Sequence, residues 1–289
     1  MESRPLGNTP VELPVIGFGS WNYSGGVGPL RAAIERGACF IDTAETYGTE
    51  EIVGEAVRDV RKSVFLGTKI RPGNFRARDV IAAAERSLKH LQTDFIDLYQ
   101  LHWPNYTVPL EETLGAMERL VDDGKIRFIG VSNFTVQELK RAQQALTRHK
   151  IVSNQVRYSL IERSIERGLL SFCSQERITI IAFSPLGERF SNLLAADPEG
   201  ILAMVASRTG KTSAQVALNW VIGKENVIAI PKASSVAHTI EDCDAVGWRL
   251  TQQDRKLLER EIAFTCRGTV EVFLRRRAKH VLQLFGKEL

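Results

Sequence analysis

Cysteine is scarce and scattered in this chain. Cys39, Cys173, Cys243 and Cys266 form no C-x-x-C pair, which excludes a zinc ribbon and a redox dithiol; reduced thiols without catalytic duty, in a reducing cytoplasmic setting, are expected. Long apolar runs are lacking too: none reaches the roughly 18 residues a membrane span needs, and residues 1–5 hold no signal-peptide apolar core. Asn22-Tyr23-Ser24, Asn105-Tyr106-Thr107 and Asn133-Phe134-Thr135 match the glycosylation sequon by chance without such a signal. Charge of one sign is not in excess. The 38 Lys and Arg against 34 Asp and Glu leave a net charge of +4 spread along the chain, too little to imply a nucleic acid or a membrane as partner.

Two further absences concern nucleotide motifs. Thr209-Gly210-Lys211-Thr212 looks like the end of a phosphate loop, but the glycine required five residues before Gly210 is Val205. Gly17-Phe18-Gly19 and Gly26-Val27-Gly28 do not continue into G-x-G-x-x-G, so no Rossmann fingerprint exists. Of the five histidines only His102 falls at the end of a strand-like run, and a metal cluster has no supporting spacing.

What is present is alternation. After a hairpin over residues 11–15, strand-like runs are predicted at 16–19, 39–42, 64–69, 95–102, 126–131, 151–155, 179–184 and 227–231. Helical periodicity fills 31–36, 51–60, 77–91, 110–123, 136–146, 167–174 and 199–222. Thr135 three before Glu138, and Thr251 before Asp254, mark helix starts. Eight strand–helix units with no Pro/Gly/Ser-rich linker between them match a closed (β/α)8 TIM barrel better than an open doubly wound sheet. The expectation is one soluble domain over residues 1–289, with a short N-terminal β-hairpin and extra C-terminal helices. The last of these helices is a basic closing one over residues 267–289, its Arg275, Arg276, Arg277 and Lys279 forming a solvated face. A monomer is expected, although the sequence does not fix the oligomeric state.

In such a barrel the site lies at the C-terminal ends of the strands. Asp42, Lys69, His102, Ser132 with Asn133, Gln155, Ser184 and Lys232 end or follow successive strands. Any one of them is explained as well by a solvated loop end; together on one rim they are not. If the loop after the second strand returns Tyr47 over the mouth, four of these groups could move a proton. A phenol of ordinary pKa near ~10 is a poor acid at neutral pH, but the Lys69 ammonium would pull it down. Asp42 would keep that ammonium charged, and His102 would orient a substrate oxygen.

This constellation resembles that of the aldo-keto reductases. The resemblance is carried by Gly17-Phe18-Gly19 with Trp21, Phe40-Ile41-Asp42-Thr43-Ala44-Glu45-Thr46-Tyr47-Gly48, Thr68-Lys69 and Asp97-Leu98-Tyr99-Gln100-Leu101-His102-Trp103-Pro104. It continues through the segment 124–134, Asn154-Gln155-Val156, Ser184-Pro185-Leu186-Gly187 and Ile230-Pro231-Lys232-Ala233, covering the chain to about Asp254. It implies Tyr47 as general acid, Lys69 and Asp42 as its tuning pair, and His102 as substrate orienter. It implies NADP(H) extended over the rim, its nicotinamide amide held by Ser132, Asn133 and Gln155, with Ser184, Leu186, Ala233 and Ser234 along its length.

Phe183 stands where the family usually has the tyrosine that stacks on the nicotinamide, and its phenyl face can serve. Lys232 matches the position that meets the 2′-phosphate, which favours NADP. His238 stands where the family often has arginine and lacks the guanidinium fork, so use of NAD(H) as well stays open. Trp21 and Trp103 match positions flanking the substrate carbonyl, and both fit a core role equally. The activity implied is reversible reduction of a small aldehyde, ketone or sugar without metal. The competing reading is a nicotinamide-binding redox sensor with little turnover, since fold alone does not settle function.

Overall fold

The barrel wall follows from a two-residue alternation. The protein, described by a computed structural model over residues 1–266 and Glu271, has eight strands after its N-terminal hairpin. The hairpin is β1 (Ser3–Pro5) with β2 (Glu12–Pro14). The eight are β3 (Phe18–Gly19), β4 (Phe40–Asp42), β5 (Phe65–Ile70), β6 (Ile96–Leu101), β7 (Ile126–Ser132), β8 (Ile151–Arg157), β9 (Thr179–Phe183) and β10 (Val227–Ile230). They pair in parallel in chain order. The ring closes where the Gly17 and Gly19 amides donate to the carbonyls of Ala229 and Pro231 at 2.8 and 2.9 Å.

Successive side chains of a strand point to opposite faces. Ile41, Leu66 and Tyr99 therefore pack outward among the helices, while Phe40, Phe65 and Leu98 turn inward with Val152, Ile181 and Ile228. Leu6 and Leu13, contributed by the hairpin segment, join this inner cluster and stopper the N-terminal end of the barrel. Burying each contributes roughly 1.5–3 kcal/mol. Farther along the same inward faces the side chains become polar: Asp42 follows Phe40, Lys69 follows Phe65 by four, and Gln100 and His102 follow Leu98. The wall is apolar below and polar above because the strand sequences change character at that level.

One glycine makes room for this polar layer: a Cβ at Gly130 would press to 2.6 Å from Ser153 Oγ and 2.9 Å from Gln100 Cγ.

The hairpin and the helical layer depart from expectation in several places. The hairpin spans residues 3–14 and includes only part of 11–15 as its second strand, because the turn lies earlier, where the Leu6 amide bonds to Val11. The helix predicted over 199–222 is two helices, α8 (Ile201–Thr209) and α9 (Ser213–Ile222). Gly210 takes a left-handed conformation, φ 65°, that ends the first, and Thr212 with Gln215 forms a capping box that starts the second. The same residues account for the rejected phosphate-loop look-alike. Helix α2 (Glu50–Val57) gives way to a 3₁₀ stretch at Arg58–Ser63. Helices α7 (Phe190–Ala195) and α10 (Val236–Cys243) fall in segments to which the sequence assigned no element. The caps at Thr135 and Thr251 are present, accepting from the amides of Glu138 and Asp254. The basic tail from residue 267, apart from Glu271, lies outside the described residues. All four cysteines are free thiols, and burial pushes Cys173 and Cys243 up to about 12.

Candidate active site

Strand ends and one returning loop bring four ionisable groups together. Lys69, on β5, is wholly buried; its Nζ donates to the Asp42 carboxylate on β4 and, at 2.8 Å, to the Thr43 carbonyl. The loop after β4 folds back so that the Lys69 Nζ lies 4.8 Å from the centre of the Tyr47 ring. The Tyr47 hydroxyl is 3.2 Å from His102 Nε2, just past β6. This loop is braced behind by a buried chain of hydroxyls, Thr49 lying 2.9 Å from both Ser20 and Thr43.

Electrostatics here follow from burial. Desolvation works against the Lys69 ammonium, yet the adjacent Asp42 and Tyr47 oxygens hold its pKa above the ordinary lysine value, so the ammonium is charged at neutral pH. For Tyr47 the order is reversed. Burial pushes the phenol up, the pull of Lys69 brings it only part of the way back, and Asp42 pushes it up again. The expected net lowering of the Tyr47 pKa is therefore corrected: in the protein alone the hydroxyl holds its proton more firmly than a free tyrosine.

The mouth is a cavity of about 830 Å³. Asp42, Tyr47 and His102 line it together with Ser132, Asn133, Gln155, Phe183, Ser184, Leu186 and Lys232, and with Trp21 and Trp103. Trp21 is half exposed and Trp103 partly buried, so the former is not a core aromatic. Ser132 donates to the Gln155 carbonyl at 2.9 Å, and Asn133 donates to the His102 carbonyl at 3.1 Å. Asn133 and Ser184 both hold left-handed backbones, φ 65° and 49°, a costly conformation for residues other than glycine. Ala233 is buried, whereas Ser234 and His238 are exposed and do not line the cavity. They lie instead at the start of α10, whose first turn Ser235 caps by accepting from the His238 amide.

This donor set suits a nicotinamide dinucleotide. Asn133 and Gln155 share the lining of the cavity with the partly buried Phe183, and farther along the rim Lys232 and the N-terminus of α10 offer positive potential for phosphate. Among the described residues no group of His, Cys, Asp and Glu is placed to hold a metal ion, and no helix is long and apolar enough to cross a membrane.

Three neighbours escaped the sequence reading. Gln100, on β6, donates to Asp42 Oδ1 at 2.9 Å; a polar residue at an inward strand position two before His102 was the available signal. The Thr43 carbonyl on Lys69 left no signal, being main chain. Arg157, at the end of β8, lines the cavity with its guanidinium 5.6 Å from the Phe183 ring centre and its Nη2 2.6 Å from Glu188.

Comparison with known proteins agrees with this geometry. A family model described as the Aldo/keto reductase family matches residues 15–262. Methylglyoxal reductase YeaE of Escherichia coli (strain K12) is 38% identical over 263 residues, covering 86% of this chain and 91% of that protein. Glyoxal reductase of Bacillus subtilis (strain 168) is 34% identical over 252 residues, covering 84% and 87%. Among solved structures, an aldo/keto reductase from Klebsiella pneumoniae in complex with NADP and acetate superposes with a TM-score of 0.84 at 36% identity, covering 92% of this chain and 97% of that one. With the match running through nearly all of the barrel, the chain belongs to the aldo/keto reductase family.

Proposed function

We propose that the protein is an NADPH-dependent reductase of small aldehydes and ketones, with Tyr47 as the proton donor. The observation that carries this reading is the meeting of the Tyr47 hydroxyl, His102 Nε2 and the buried Lys69–Asp42 pair at the floor of one cavity. A reduced nicotinamide, when bound, supplies the hydride that the carbonyl carbon accepts. The chain's own groups handle the oxygen. His102 and the Tyr47 hydroxyl are near enough to each other to share one carbonyl oxygen between them, and Tyr47 delivers its proton there as negative charge develops. Lys69, fixed in place by Asp42 and the Thr43 carbonyl, stabilises the phenolate left behind.

Asn133, Gln155, Ser132 and Phe183 would hold the nicotinamide, with Ser184 and Leu186 beside it. Lys232, Ala233, Ser234 and His238 would follow the adenine end. Lys232 supports a preference for NADP(H), and the absence of an arginine fork at His238 leaves NAD(H) usable. The names of the relatives support small dicarbonyls such as methylglyoxal and glyoxal as substrates, against the walls made by Trp21 and Trp103.

The test is a coupled panel. NADPH or NADH is mixed with methylglyoxal, glyoxal, simple aldehydes, ketones and aldoses, and loss of reduced-nicotinamide absorbance is followed. Multiple turnover on at least one carbonyl is expected. Tight cofactor retention with no turnover on any of them would overturn the enzyme reading in favour of a sensor.

A further inference from the structure

The Asp42 carboxylate has two oxygens and three donors. One oxygen takes Lys69; the other, Oδ1, accepts from Gln100 Nε2 at 2.9 Å and from Gln155 Nε2 at 2.8 Å. Gln155 Nε2 also lies 3.3 Å from Gln100 Oε1, so both of its hydrogens are engaged inside this cluster. Gln100, Asp42 and Gln155 are all buried, and the missing side chain of Gly130 leaves space that Gln100 fills. A ligand group that accepts from the Gln155 amide nitrogen must take a donor away from this buried arrangement.

We propose that Gln100 is a positioning residue of the active site, holding Asp42 in register with Lys69 so that Gln155 is released for the cofactor. The inference rests on Tyr47 being the proton donor. A buried carboxylate that loses a donor is left with part of its charge unanswered. With Gln100 in place, Asp42 keeps one amide on Oδ1 when Gln155 turns away; without it, Gln155 is the remaining amide donor to that oxygen and is tied down. Gln100 also offsets part of the negative potential that Asp42 projects on Tyr47, and so keeps the phenol a better acid. The ionisable groups turned toward this cluster are Asp42, Lys69, Tyr47 and His102. Strands β7 to β10 present the neutral Ser132, Gln155, Phe183 and Ile230, with Arg157 and Lys232 beyond them toward the rim.

Two variants and one control test this. Gln100→Leu removes the donor; a fall in kcat of about tenfold, a rise in the Kd of NADPH and an upward move of the alkaline limb of the kcat–pH profile are expected. Gln100→Glu keeps the shape. As a neutral acid it donates to Asp42 as the amide does, and once ionised it cannot, so activity close to wild type at low pH should be lost through a new ionisation that the wild type lacks. Should Gln100→Leu fail to fold by circular dichroism, the isosteric Gln100→Glu decides alone. Folded variants with wild-type kcat, NADPH affinity and pH profile would overturn the proposal. Tyr47→Phe is run beside them. If that variant is fully active the functional reading itself fails, whereas an inactive Tyr47→Phe with unaltered Gln100 variants removes only the role given to Gln100.

Discussion

Tyr47 and His102 meet through one hydroxyl-to-Nε2 contact of 3.2 Å, their rings inclined at 73° with centres 5.4 Å apart. The ring contact orients the phenol and the polar contact marks where a third oxygen would sit. Tyr47→Phe preserves the first and deletes the second. Turnover should fall by about 10²–10⁴ while NADPH still binds, as steady-state rates and fluorescence titration of the cofactor will report.

Because burial raises the Tyr47 pKa above its ordinary value of 10.0, proton supply should not fail near neutrality. The reduction rate is expected to stay level from neutral pH upward and to decline only as the phenol begins to ionise, above pH 10 in the protein alone. A decline centred well below that, in the single-turnover rate constant for reduction, would contradict the burial argument.

Lys69 and Asp42 are both buried, so removing one strands the other. Lys69→Met should cost about 3–5 kcal/mol of stability in urea unfolding, besides abolishing most activity. Adding Asp42→Asn should restore much of the stability and none of the turnover. That split separates folding from catalysis for this pair.

Lys232→Met tests the cofactor preference. An ammonium that meets the 2′-phosphate matters to NADPH and not to NADH, so the Kd for NADPH should rise about tenfold with NADH little changed. Equal losses for both would place Lys232 elsewhere along the dinucleotide.

Stability should also answer to Glu118, on α4 (Leu110–Asp122). Burial pushes its carboxyl up, but the amides of Arg148, His149 and Thr147 and the Thr147 hydroxyl outweigh it and bring the carboxyl from 4.5 to about 2. A carboxyl lowered on folding stabilises above its unfolded pKa and loses that contribution as the pH falls from 4.5 toward 2. The amount is about 3 kcal/mol. Glu118→Gln should lose most of it at pH 7, and the gap to wild type should close across that acid window in denaturant titrations.

The barrel was legible because its signals are short-range. Short apolar runs, each followed by a helical stretch, exposed Phe40–Asp42 and Phe65–Ile70, and the polar residues at strand ends pointed to one rim. Tyr47 could be placed only on the condition that its loop returns over the mouth, since a loop residue has no periodicity. The split at Gly210 was also written in the chain, as a glycine followed by Thr212 and Gln215 at capping spacing, but continuous helical character on both sides masked it. Gln100 was not legible as a partner of Asp42, because residues 58 apart in sequence meet only once the strands have closed into a ring. The balance on Tyr47 was misjudged for a related reason: a neighbouring cation can be read from residue types, whereas the depth of burial depends on everything around it.

The stopper formed by Leu6 and Leu13 sets the route of access. With that end packed by the inner apolar cluster, the cavity lies against the other end of the ring, so whatever occupies it comes in over the rim of strand ends and not through the barrel.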